Sequence, residues 1–339
     1  MTLTETATIT KRFLRVFLIF GATFLILWIA FLIIYNNVII PYQRSQIKPE
    51  KRFGALPKPS YPPTILSSAS LTYSLDTKSG GLPSTFPKLM KIYFIPPSET
   101  TLLAPDRARQ LAASLGFSYG PEILSAREYR FKDPAGGVLV VDLSTGNFSF
   151  KRVPSSKPDT PQDEFLADET KLTADFKSYL SQKGLLKTGL EEATMKVIYE
   201  GGNARTSNTT TVSLWPGPID KYPLVTADPK IGLINAVATK FQDPASRYQS
   251  LHYTYYPVDK KTFSTYQLKP ISQAFSELQQ GAGIIVQNPP NQTKASITNV
   301  YLAYFLPESY NSFLEPVYVF ESDNFTSYVP ALTADSYAQ

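Results

Sequence analysis

Hydrophobic positions fall into different regimes along this chain. From Phe13 to Ile34 the sequence reads FLRVFLIFGATFLILWIAFLII, with Arg15 the one charge among these residues. A bilayer core takes about 20 apolar residues of helix, and this run has no polar stripe that would mark a half-buried helix. Trp28 and Tyr35 stand towards its far end, where aromatic residues favour the interface. The run is longer than a cleavable signal segment, and no small-x-small site follows it. The pattern predicts a cytoplasmic tail over residues 1–15, an uncleaved transmembrane helix over 16–38 and a Pro-containing, charged stalk over 39–66.

Beyond the stalk, short apolar runs alternate with turn signals. Met90–Ile95, Tyr129–Lys132, Val138–Leu143 and Phe148–Phe150 read as strands, the last three linked by turns at Gly136-Gly137 and Thr145-Gly146-Asn147. Pro105–Leu115 reads as a helix with Ala108, Leu111, Ala112 and Leu115 on one face and Gly116 as its C-terminal cap. A second helix is expected from Asp168 to Lys183, with Leu172, Phe176, Tyr179 and Leu180 inward. Strands at Thr194–Tyr199 and Thr209–Leu214 follow it, so helix-then-hairpin occurs twice. Ile231–Phe241 is open between helix and strand. Leu251–Tyr256, Ile297–Phe305, Pro316–Phe320 and Tyr328–Ala331 read as strands, and Ile271–Gln280 as a helix. Runs of strands broken by single helices predict an α+β ectodomain of antiparallel sheets, divided into units at 67–154 and 155–339.

Charge changes the picture only at the membrane flank. The net charge of the 339-residue chain is +5, but residues up to Lys58 hold eight Lys/Arg against two Asp/Glu, and the remainder has 25 basic and 26 acidic residues. A folded part near neutrality argues against nucleic-acid binding. The flanking cations suit anionic lipid headgroups, so the bilayer is the expected partner of Phe13–Ile34. Lys11, Arg12 and Arg15 abut the apolar run, whereas Arg44, Lys48, Lys51 and Arg52 follow at a distance. That asymmetry favours a cytoplasmic N-terminus and a C-terminal domain outside, in a single-pass cell-membrane protein.

Candidate chemistry is sparse. The chain has no Cys and one His, His252, which removes thiolate nucleophiles and leaves little for an N/S-ligand metal site. No nucleophile elbow or phosphate-binding glycine loop accompanies it. Asp159, Asp163, Glu164, Asp168 and Glu169 are the densest acidic cluster, and they suit helix starts better than a calcium loop. No catalytic residue, metal or cofactor is expected. The 21 Tyr and 21 Phe are the remaining signal, since exposed Tyr favours binding surfaces. Tyr253, Tyr255, Tyr256, Tyr301, Tyr304 and Tyr310 are the candidate binding face.

Leu268-Lys-Pro-Ile-Ser-Gln-Ala-Phe-Ser-Glu-Leu-Gln-Gln-Gly-Ala-Gly283, followed by Val300–Tyr304 and Leu314–Phe320, resembles the helix and strands of bacterial extracytoplasmic regulators of the YycH/YycI type. The N-terminal helix-plus-hairpin with Asp142-Leu-Ser-Thr-Gly146 resembles a PepSY-type module. The resemblance covers residues 250–331 best. It implies a membrane-anchored α+β ectodomain that acts by contacting another membrane or envelope protein, without catalysis. An envelope polymer- or peptide-binding module, and a hydrolase working through carboxylates, are the other readings of the same sequence.

Overall fold

The computed structural model describes residues 48–154 and 161–338, together with scattered positions between 20 and 35. Most of the expected membrane span and Asp159 lie outside the described residues. Among the described residues no helix is long and apolar enough to cross a membrane. In the N-terminal unit, positions 20, 21, 23–25, 27–29, 31 and 32 are helical. Phe24, Leu27 and Trp28 are exposed there, and Phe24 stacks on Trp28.

The second unit, Lys51–Gln339, is α+β with mostly antiparallel sheets, as the strand-and-turn pattern implies. In chain order it contains β1 (Thr72–Leu75), β2 (Leu89–Phe94), α1 (Ala104–Ser114), β3 (Tyr119–Ile123), β4 (Glu128–Lys132), β5 (Val138–Asp142) and β6 (Phe148–Lys151). Next come α2 (Glu169–Gln182), β7 (Thr194–Tyr199), β8 (Thr210–Trp215), β9 (Leu224–Val225), β10 (Ile234–Ala238) and β11 (Tyr248–Tyr253). The chain closes with β12 (Asp259–Gln267), α3 (Ile271–Glu277), β13 (Ile284–Gln287), β14 (Lys294–Ile297), β15 (Asn299–Phe305), β16 (Phe313–Glu321) and β17 (Thr326–Pro330).

Eight strands form one antiparallel sheet in the order β3-β4-β5-β6-β11-β10-β8-β7. Each half of it is a helix followed by four strands, and the halves join where the last strand of each pairs with the other, Leu251 opposite Phe150. The sheet therefore draws strands from both sides of residue 155. Ala108 and Ala112 of α1 and Leu172, Phe176 and Leu180 of α2 pack into one core over it. Gly116, at φ +85°, ends α1 in a conformation that favours glycine. Asp168 caps α2, its carboxylate accepting the Lys171 N–H at 2.8 Å.

The second sheet runs β12-β2-β16-β15-β9, with β17 on β16 and β13 on β17. Its core contains α3 residue Ala274 and the strand residues Ile92, Leu302, Leu314, Tyr318 and Phe320. Strands β2 and β12 are paired with Phe94 opposite Asp259. Between these two strands the chain builds the eight-stranded lobe and touches the second sheet once on the way, at β9.

The stalk reading ends earlier than expected. Residues 51–63 are a strap packed on the second sheet. Phe53 lies 4.9 Å from the Phe313 ring, Leu56 is fully buried, and Tyr61 lies 5.0 Å from Phe305. Leu56 bridges Tyr337 in parallel, its N–H donating to Ser336 O and its carbonyl accepting from Ala338 N–H, both at 2.8 Å. The Pro and charge content that reads as a stalk hides three large apolar residues spaced to anchor it. Ile231–Phe241 resolves as the strand β10, its alternate residues Ile234, Ala236 and Ala238 buried.

Candidate functional site

A deep concavity of the folded unit lies where the two sheets meet. Pro216 follows Trp215, the last residue of β8, and a proline there has no N–H to continue the ladder. The run Pro216-Gly-Pro-Ile219 then crosses to the second sheet, where β9 joins β15 in parallel with Leu224 opposite Tyr304. A side chain at Gly217 would stand 3.0 Å from Glu192 O, so the crossing runs close against the 188–192 turn. Tyr93 of β2 pins the crossing by donating its hydroxyl to Asp220 at 2.5 Å, and Lys91 pairs with the same carboxylate at 2.9 Å.

The crossing segment, the 188–192 turn and the 254–261 connection enclose a cleft of about 740 Å³. That is within the usual size of small-ligand sites. Its walls are mostly apolar: Leu214, Ile219, Leu224, Leu233, Val258 and Leu306. Glu191, Glu192, Asp259, Lys260 and Lys261 supply its charge. Glu191 accepts the Gly189 N–H at 2.6 Å. Its own and the Gly189 backbone N–H groups, with Lys260 adding to them, hold it below the ordinary carboxylate range. Asp259 is lowered too, first by the Thr262 hydroxyl at 2.6 Å and then by the Lys261 N–H at 2.9 Å. Both carboxylates are therefore ionised acceptors already bonded to neighbouring groups.

The six candidate tyrosines separate. Tyr255 and Tyr256 line the cleft. Tyr255 donates to Thr188 O at 2.7 Å and Tyr256 to Glu308 O at 3.1 Å. Tyr310, exposed, stands edge-on to Tyr256 at 5.8 Å and donates to Ile95 O at 2.9 Å. Tyr301 is half-buried on β15, apart from the cleft, bonded to the Glu321 carboxylate at 2.8 Å. Tyr253 and Tyr304 are corrected: both are fully buried and belong to the core, not to a binding face. Their rings point inward from β11 and β15, and their hydroxyls donate to Leu185 O at 2.7 Å and Lys91 O at 2.8 Å.

His252 points away from Tyr253, its Nε2 lying 3.0 Å from the Thr254 hydroxyl and 3.7 Å from the Glu308 carboxylate. Among the described residues no group of three or more His, Asp or Glu is placed to hold a metal ion. Sequence reasoning passed over the Trp215-Pro-Gly-Pro218 run. Its punctuation marks a chain that has stopped pairing with one sheet before reaching another. It also passed over Glu315, a charge inside the apolar strand β16 that is 1% exposed.

The fold places the chain among α+β proteins built mainly of antiparallel sheet. No family model matches the sequence, and no curated protein matches it. Among solved structures it is similar to an uncharacterized protein from Eubacterium rectale, at 11% identity over 79% of this chain and 89% of that one, with a TM-score of 0.36. A likeness at that level supports neither a shared fold nor a shared activity.

Proposed function

We propose that this protein is a non-enzymatic interaction module, anchored by Phe13–Ile34, that takes an apolar segment of another membrane or envelope protein into the cleft between its sheets. The cleft is the observation that carries the reading. Its walls offer mostly apolar surface, with Tyr255 and Tyr256 among them and five charged side chains to orient an occupant, which is the composition of recognition sites. The exposed apolar side chains at the described helical positions 20–32 suit an anchor in lipid. On this reading the folded unit lies outside the cytoplasm. The helix-plus-four-strand order of each half of the large sheet suits a doubled PepSY-type unit, and the YycH/YycI-type resemblance supplies the regulatory sense of the contact.

A hydrolase reading is less well supported. Carboxylate catalysis needs one group held protonated as the acid, whereas Glu191 and Asp259 are both lowered by their hydrogen bonds. Polymer binding through an exposed Tyr face loses two of its six residues to the core.

Crosslinked co-purification from native membranes tests the proposal. The comparison is between the wild-type chain and a Val258→Arg variant, which places a charge on the cleft wall. A membrane protein recovered with the wild type and lost with the variant is the expected result. Equal recovery with both removes the cleft from the contact. Binding of the soluble part to purified envelope material would replace the protein partner with a polymer.

A further inference from the structure

The strap of residues 51–63 closes over a buried acid. Glu315 is 1% exposed, and neither carboxylate oxygen has a hydrogen-bond partner among the described residues. The Tyr61 hydroxyl from the strap and the Tyr337 hydroxyl from the C-terminal turn are buried and equally unpartnered. These groups face one another: Tyr61 packs on Phe305, which stands opposite Glu315, Tyr337 bridges the strap at Leu56, and Tyr337 and Asn311 lean on the carboxyl without closing a well-formed hydrogen bond. The other groups turned towards the acid are Tyr266 of β12 and Asn311 of the β15–β16 loop. Among the described residues no ion pair reaches Glu315, while Lys51 and Asp335 pair at 2.5 Å nearer the surface.

A carboxylate enclosed this way with no cation beside it carries a large desolvation penalty. We propose that the strap is a releasable latch, docked while Glu315 is neutral and freed when it ionises. Burial pushes the Glu315 carboxyl up from 4.5 to about 8, with Tyr337 and Asn311 opposing only in part. The sign follows from that direction. The docked state holds its proton where a solvated Glu has lost it, so docking is strongest below pH 4.5 and weakens as pH rises towards about 8. The docking constant falls about tenfold per pH unit in that window, the slope for one proton. Tyr61 and Tyr337, both raised by burial, stay neutral throughout. Freed and extended, the thirteen residues would reach about 45 Å, at about 3.5 Å each.

The absence of Cys allows spin labels at introduced cysteines alone. The full-length chain in detergent micelles would take one pair at Lys58→Cys and Lys294→Cys, across the strap, and a control pair at Lys132→Cys and Lys294→Cys. All three lysines are exposed. From pH 5 to pH 8.5 the strap distance should lengthen and broaden while the control distance holds. In Glu315→Gln the strap distance should stay short at both values. The latch is overturned by a wild-type strap distance that does not change, which decides the matter even if the variant fails to fold. It is also overturned by the same lengthening in Glu315→Gln, or by a control distance that moves with the strap.

Discussion

Tyrosine is the residue that best separates what a sequence can say about this molecule from what only packing decides. Its hydroxyls tie distant segments together: Tyr253 to Leu185, Tyr266 to Gly54, Tyr304 to Lys91, Tyr318 to Lys269 and Tyr328 to Thr226, each through a backbone carbonyl. A ring that buries a large apolar area and still satisfies its polar tip suits a sheet protein without disulfides. Tyr253→Phe should lower stability by about 1 kcal/mol, the usual net value of such a bond. Tyr253→Ala should cost about 3–5 kcal/mol as an aromatic deletion in the core. Denaturant titration reads both, and equal midpoints for wild type and Tyr253→Ala would deny the core assignment. The enrichment in Tyr was legible, and so was the alternation that sends successive strand residues to opposite faces. Which face is covered was not, because alternation along a strand assigns sides without naming what lies on either. Glu315 left a clearer mark, since a carboxylate within Leu314-Glu-Pro-Val-Tyr-Val-Phe320 has to be neutralised, paired or solvated.

At the scale of elements, legibility followed how much of the signal was local. Helix α2 has a cap at Asp168, a periodic inward face and a left-handed Gly184 just past its end, all local signals, and its inward residues stand as expected. Asp168→Ala should therefore lower the denaturation midpoint by the equivalent of about 1 kcal/mol, with Asp168→Asn close to wild type. Strands defined by long-range pairing left weaker traces. Strand β12, Asp-Lys-Lys-Thr-Phe-Ser-Thr-Tyr-Gln, begins with charges and is exposed over its first half. Strand β3 contains Gly120-Pro121, and β9 is two residues long. None of these has a pattern apart from its partner strand. At the cleft, Gly189 sits at φ +95° and a Cβ there would come within 2.5 Å of the Tyr255 hydroxyl. Gly189→Ala should displace Tyr255 and weaken partner recovery without the larger stability loss of a core deletion. Unchanged recovery would take the 188–192 turn out of the binding contact.

For the whole molecule, the segment between β8 and β10 is the piece that belongs to both lobes, and its electrostatics are held by one carboxylate. The Tyr93 hydroxyl, and then Lys91, hold Asp220 below its usual 3.8. A lowered acid stabilises the state that lowers it at pH above 3.8 and loses that contribution as pH falls through its folded value. Asp220→Asn should raise amide exchange across residues 216–231 at neutral pH, and acidification of the wild type below pH 3.8 should do the same. Protection that is identical in both proteins would place the hold elsewhere. This division into lobes was the least legible feature, because a fold that leaves a sheet at Phe94, touches it again through the two residues of β9 and re-enters it at Asp259 keeps its defining contact 165 positions apart. That rung has a mechanical consequence. Leu56 and Tyr337 meet on the same body that contains β2 and β12. Tension applied between the strap and the C-terminal turn would run through that body, and the eight-stranded lobe would sit to one side of the load, tied on at the Phe94–Asp259 rung and at the crossing segment that carries β9. A stretched molecule would yield first at the strap and would keep the shape of the lobe that forms half of the cleft.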